Sequence, residues 1–263
     1  VHGTHDISLN QKFNQKAIHM ERPKYQLIIL WLLLLPLASI AGNKSAIYRA
    51  YISNDMAGWK RTIDAMQAEK NKTSPFLLEL VNYQYGYIGW CIGADRKDEA
   101  SKILGLAENN LEILENRSYR VSYLNSYKSA FYGFRIGLNV LKAPFIGPKS
   151  VSAAELAMKQ DSTNPFGFIQ YANSQYYMPA AFGGSKTLAI RYYQKAEKIM
   201  KANPAYLKED WNYLSLLSII GKAMEETGNL RAARQYYERI LKLEPNFLWV
   251  KNDLYPNLLK KMK

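Results

Sequence analysis

The sequence predicts an all-α fold, an irregular right-handed α-solenoid of stacked antiparallel helix pairs. Three observations carry that expectation. Residues 214–247 read LSLLSIIGKAMEETGNLRAARQYYERILKLEPNF. Leu217, Ile220, Gly221 and Met224 share one face of a first helix and Gly228 marks a turn. Ala233, Tyr237 and Ile240 then recur at spacings of four and three on a second helix that Pro245 ends. A small residue opens comparable triplets upstream, at positions 100, 150 (a serine) and 189, so that with Ala233 the intervals are 50, 39 and 44 residues. No stretch shows the period-two alternation or the turn dipeptides of a β-hairpin.

The chain has 263 residues, 48% hydrophobic and 22% charged, enough apolar matter to build one solenoid and too much for a disordered chain. Residues 1–19 are polar and patternless, hold all three histidines, and are read as upstream sequence outside the fold. Met20 opens MERPKYQLIILWLLLLPLASIAGN, a basic start followed by an apolar run and small residues. That is the layout of a signal peptide over 20–42, cut after Ala41 or Gly42. A retained N-terminal membrane anchor is the competing expectation. Against it, the apolar run is about 15 residues where a spanning helix needs roughly 20, and Pro36 interrupts it. No cysteine follows the run, so lipid attachment is not expected.

Residues 43–263 are read as a single helical-repeat domain. Ser53-Asn54-Asp55 separates two short helices, the second with Trp59, Ile63 and Met66 on its apolar face. From Pro75 a long apolar helix is followed by a polar turn at 94–97 and a helix with Ala100, Leu104 and Ala107 on one face. Gly86 and Gly89 straddle the small position of the first of these. Residues 118–141 form the most aromatic helix, with Tyr119, Tyr123, Tyr127 and Phe131 four apart, and a loop containing Pro144, Gly147 and Pro148 is expected to break it. The next helix ends with Ala154 and Ala157 before Asp161. The segment 166–201 gives a helix halted near Pro179, a Gly183-Gly184 turn, and Ala189, Tyr193 and Ala196 on a second helix. A final amphipathic helix, 248–260, is expected to cap the stack.

These residues at these offsets resemble the tetratricopeptide (TPR) repeat, a two-helix unit of about 34 residues. The match is closest over 214–247, next over 166–201, and weaker over 46–161. The resemblance implies a binding scaffold in which the first helix of each pair lines a concave groove. Carried over by offset, the partner-binding candidates are Asn82, Tyr85, Tyr171, Ser174, Ser215, Ser218 and Lys222, with Tyr123 and Tyr127 as the anchors of the irregular second unit. A second resemblance is shorter: PAAFGGSKTLAIRYYQKA is similar to the Gly-Gly turn and helix of the periplasmic T-component proteins of TRAP transport systems. It implies a carrier of an apolar carboxylate.

The chemistry is as informative for what it excludes. Residues 43–263 contain no histidine and one cysteine, Cys91, set in the apolar run YIGWCIG as a buried thiol. No phosphate loop, serine elbow or cysteine pair is present. An enzyme is therefore not expected, nor a cofactor or metal. Asn43, Asn71 and Asn116 open Asn-x-Ser/Thr triplets, which matter only in a glycosylating cell. The net charge is +13, to which residues 1–42 contribute only Lys12, Lys16, Arg22 and Lys24 against Asp6 and Glu21. Most lysines alternate with acids on solvated faces. The surplus suits an anionic envelope surface or an acidic partner, and an exported protein is not expected to bind nucleic acid. The functional expectation is an exported scaffold for a protein or peptide in the bacterial periplasm or envelope, with the small-molecule carrier as the alternative.

Overall fold

The computed structural model describes residues 42–263, so the signal or anchor segment and the residues before it lie outside the described part. Helical residues 42–52 (α1) are followed by Met56–Ala68 (α2), Ser74–Gly93 (α3), Lys97–Asn116 (α4), Val121–Leu138 (α5) and Ala143–Gln160 (α6). Then come Pro165–Tyr177 (α7), Lys186–Lys201 (α8), Trp211–Glu226 (α9), Leu230–Leu243 (α10) and Tyr255–Lys261 (α11). There is no strand among the described residues. The fold is all-α and solenoid-type. α3 packs most closely on α4, α5 on α6, α7 on α8 and α9 on α10, and each pair also touches the next.

Local chemistry sets the helix starts. Asp55 Oδ1 accepts from the Gly58 amide at 2.8 Å, Asn164 Oδ1 from Phe166 at 3.0 Å, Ser185 Oγ from Leu188 at 3.2 Å and Asp210 Oδ1 from Asn212 at 2.9 Å. Each supplies an acceptor to an amide that no helical carbonyl can reach. α9 ends at Gly228, whose φ of +81° is in the left-handed region that an L side chain resists. The Gly183-Gly184 pair is likewise a turn. Gly183 has φ +93°, and a Cβ on Gly184 would come within 1.8 Å of the Met178 carbonyl oxygen.

The small–large–small triplets face inward throughout. Ala100, Leu104, Ala107, Ala154, Ala157, Ala189, Tyr193, Ala196, Ala233, Tyr237 and Ile240 are all buried. In the C-terminal pair a Cβ on Gly221 would stand 2.5 Å from the Tyr237 ring, so the glycine is what lets α9 and α10 approach. Ala233→Leu is expected to overpack the same contact and lower stability by about 1–3 kcal/mol. A thermal melt unchanged from the parent would show that the register of this pair is wrong.

One expectation is corrected. Residues 143–150 are not a loop but the start of α6, with Pro144 in its first turn and Pro148 inside it. The first amides of a helix have no intrahelical partner, so Pro144 forfeits nothing and Pro148 removes a single ladder bond near the end. This turn carries Val140, Leu141 and Phe145 on its exposed surface. The chain after α10 also differs in detail. Val250–Leu254 forms a π-helical turn before α11, where Pro256 cannot donate to the carbonyl one turn back. Val250 and Leu258 are buried against the α9–α10 unit.

The two ends of the stack meet. Tyr51 of α1 packs against Phe247 (ring centroids 4.9 Å), Trp211 (5.8 Å) and Trp59 (5.9 Å). Trp59 of α2 and Trp211 of α9 meet edge to face at 5.0 Å. A Cβ on Gly86 would lie 2.6 Å from the Trp211 ring and 2.7 Å from the Trp59 ring, so a bare backbone on α3 makes room for both indoles. At the surface of this closure Tyr48 donates to Glu244 Oε2 at 3.0 Å and Lys44 Nζ donates to the Ala205 carbonyl at 2.9 Å.

Candidate functional site

The nine sequence-derived positions divide into four places. Asn82, Tyr85 and Tyr127 come together between α3, α5 and α9. Asn82 Nδ2 donates to the Tyr127 hydroxyl (2.9 Å) and to Asn212 Oδ1 (3.0 Å). Its Oδ1 accepts from Trp211 Nε1 (3.0 Å) and Asn212 Nδ2 (3.2 Å). Asn82 thus clasps three helices and has spent its hydrogen-bonding capacity within the fold. The Tyr127 ring is fully buried. Tyr85 stacks on Phe134 (5.5 Å) and lies beside Tyr127 (6.0 Å) and Trp211 (6.1 Å).

Ser215 of α9 faces the Tyr51 hydroxyl, whose pKa burial raises and whose shift this serine opposes. Ser218 is buried and donates to the Leu214 carbonyl at 2.8 Å, so it offers nothing to a partner. Lys222 lies with its ammonium 5.8 Å from the centre of the Trp249 ring, toward the C-terminal cap. Tyr123 sits apart from Tyr85, its hydroxyl 3.1 Å from that of Tyr206.

Tyr171 and Ser174 do not join Tyr85. The Tyr171 ring packs on Tyr192 of α8 (4.5 Å), and Ser174 donates to the Tyr171 carbonyl at 2.7 Å. The residues of α7 that do face Tyr85 are Gln170, Asn173 and Tyr177. The Gln170 and Asn173 side chains face the Tyr85 hydroxyl, opposing the upward pKa shift that burial imposes on it. Tyr193 donates to Asn173 Oδ1 at 2.7 Å, and Asn173 Nδ2 donates to Gln170 Oε1 at 2.9 Å. Gln170 Nε2 ends this chain of bonds, buried and without a partner of full geometry among the described residues. Offsets of three and seven from Gln170 were available in the sequence. The repeat register placed the facing residues one position further round the helix, and a 100° step per residue turns them away.

The wall is therefore aromatic with a few fixed amides. Cys91 takes no part, since it is buried and its thiol is pushed up to about 11, chiefly by desolvation. No group of three or more histidine, cysteine or carboxylate side chains is placed to hold a metal ion among the described residues. None of the described helices is long and apolar enough to cross a membrane.

Stacked helix pairs with one such wall define a solenoid-type helical protein. No family model matches the chain, and no curated protein does. Among solved structures it is similar to the HusA haemophore from Porphyromonas gingivalis, with TM-score 0.53 and 20% identity over 71% of this chain and 94% of that one. It is also similar to a thermophilic TPR protein from Thermus thermophilus, with TM-score 0.50 and 14% identity over 78% of this chain and 89% of that one. At such identities the likeness is one of fold.

Proposed function

We propose that this chain is an exported tetratricopeptide-like scaffold whose α3–α5–α7–α9 wall forms a groove for a peptide or protein segment in a bacterial periplasm or envelope. The observation that carries the reading is the aromatic wall itself: Tyr85 stacks on Phe134 at 5.5 Å and lies 6.0 Å from Tyr127, with the Gln170 and Asn173 amides turned to its hydroxyl. Rigid rings edged with amides can stack on side chains and hydrogen-bond the backbone of an extended segment. Tyr177 supports the same reading. It is 71% exposed and its ring is held edge to face on Tyr176 at 4.7 Å. An exposed ring fixed by a neighbour is a rigid aromatic anchor of the kind that binds well.

The test is a crosslinking pull-down from the native envelope, followed by titration of whatever protein is recovered. Tyr85→Ala and Tyr177→Ala together are expected to weaken that binding about 30-fold, the effect of losing one ~2 kcal/mol anchor. Recovery of no partner, or binding indifferent to both changes, would sink the scaffold reading.

A second reading is a carrier of a small apolar ligand. It draws on the fold shared with a haemophore over nearly all of that protein, and on the aromatic character of the wall. Titration with haemin and with long-chain apolar carboxylates separates the two. A ligand-dependent rise in Tm with no protein partner would favour the carrier.

A further inference from the structure

A cleft of about 810 Å³ opens at one edge of the stack, where the α4–α5, α6–α7 and α8–α9 connections come together. It is distinct from the wall around Tyr85, and its size is that of small-molecule sites, roughly 300–1,000 Å³. Tyr123 and Tyr206 contribute two rings to it. Their hydroxyls are 3.1 Å apart, and Phe166 packs against both rings at 5.8 and 6.5 Å.

Two opposite charges line the same cleft without pairing to each other. The Arg120 guanidinium lies 5.2 Å from the centre of the Tyr123 ring, near enough to Asp161 to help draw its pKa down but with no ion pair within 4 Å among the described residues. Arg120 is itself in the left-handed region, φ +51°, a conformation that a residue with a Cβ seldom adopts. Asp161 Oδ1 accepts from the Thr163 amide (2.8 Å) and from Thr163 Oγ1 (2.6 Å). These bonds, helped by the Asn164 amide and the Arg120 charge, hold its carboxyl below the usual range, so it stays ionised at neutral pH.

The amides of the cleft have a direction as well. Gln160 Oε1 is taken by Asn125 Nδ2 at 2.8 Å, and Asn203 Oδ1 by the Ala205 amide at 3.0 Å. What each has left to offer is its NH2 group, a donor. The cleft therefore presents one cation with two amide donors, one separate carboxylate, and two tyrosine rings.

We propose that this edge cleft binds a zwitterion, a free amino acid or very short peptide with an apolar or aromatic side chain. The ligand carboxylate pairs with Arg120 and takes bonds from the Gln160 and Asn203 amides. The ammonium meets Asp161, and the side chain covers the Tyr123 and Tyr206 rings. A simple anion would meet Asp161 and a simple cation would meet Arg120, so only a ligand carrying both charges satisfies both groups.

The test is calorimetric titration of the full chain with L-phenylalanine and L-phenylalanyl-L-phenylalanine, against N-acetyl-phenylalanine and phenylalaninamide as probes with one charge removed. The zwitterions are expected to bind, and each blocked probe to bind about tenfold more weakly, as for the loss of one charged hydrogen bond. Arg120→Gln and Asp161→Asn are each expected to weaken zwitterion binding about tenfold while lowering the Tm of the free protein by only a few degrees, because the asparagine oxygen still accepts from Thr163. Asp161→Asn should also bring N-acetyl-phenylalanine level with phenylalanine, an effect that a merely structural role would not produce. Tyr85→Ala and Tyr177→Ala should leave this binding untouched, which separates it from any partner held on the wall. Absence of binding by both zwitterions, blocked probes binding as well as they do, or indifference to Arg120→Gln would each overturn the proposal.

Discussion

Trp211→Ala is expected to lower folding stability by about 3–5 kcal/mol, the range for removing a large buried aromatic side chain. The loss should reach both ends of the stack. Trp211 is buried, its indole N–H bonds to Asn82 Oδ1 at 3.0 Å, and its ring touches Trp59 of α2 and Tyr51 of α1. Urea unfolding followed by circular dichroism measures the cost. Hydrogen exchange should show faster opening of α1 and α2 as well as of α9. A cost under about 1 kcal/mol, or faster exchange confined to α9, would mean that the ends of the stack do not pack on one another. Gly86→Ala attacks the closure from the other side by pressing a methyl group between the two indoles. Its effect should add to that of Trp211→Ala less than fully, because the two changes share a contact.

Glu197→Ala is expected to cost about 2–3 kcal/mol. Glu197 is 5% exposed and gathers Lys201 Nζ (2.6 Å), Tyr236 Oη (2.8 Å) and Arg239 Nη2 (2.8 Å) from α8 and α10. Losing the carboxylate leaves the Arg239 guanidinium, whose Nε is already buried without a partner, with nothing to neutralise it. Arg239 and Lys201 are both partly exposed and can recover water, which keeps the cost below that of breaking a wholly buried pair. Glu197→Gln retains an acceptor for Tyr236 and should recover part of the loss. Chemical denaturation of the three proteins side by side gives the ranking. A glutamine variant no better than alanine would show that charge, rather than hydrogen bonding, holds α10 to α8.

The elements that could be read from sequence were those governed by neighbours within one or two helical turns. Ala233, Tyr237 and Ile240 announce a buried stripe because spacings of three and four place side chains on one helix face, and all three are buried. Asp55 and Gly228 mark helix ends for reasons that operate within about four residues. The same local reasoning overreached at Pro144 and Pro148. Those prolines signal a break, but Pro144 stands in the first turn, where a missing N–H costs nothing, and α6 runs on through Pro148 at the loss of one ladder bond.

The candidate wall was legible in kind and not in register. The repeat offsets pointed to the first helices of the pairs, and Asn82, Tyr85 and Tyr127 are on it. Gln170, Asn173 and Tyr177 were missed because the outward and inward faces of α7 are both aromatic. Tyr171 and Tyr177 carry equal weight in a linear pattern until the position of α8 decides which one Tyr192 covers.

By itself the sequence determined the helix pairs, their buried stripes and the all-α class, since each depends on interactions spanning a few residues. Only the tertiary structure decided that α9 returns to α3. The Trp211–Asn82 bond joins residues 129 apart. That meeting depends on small rotations accumulated over three helix pairs, stretched unequally by loops of different length. The same accumulation brings Arg120, Asp161 and Tyr206 to one cleft from three separate turns. No spacing along the chain encodes it, because no two of those turns belong to the same helix pair.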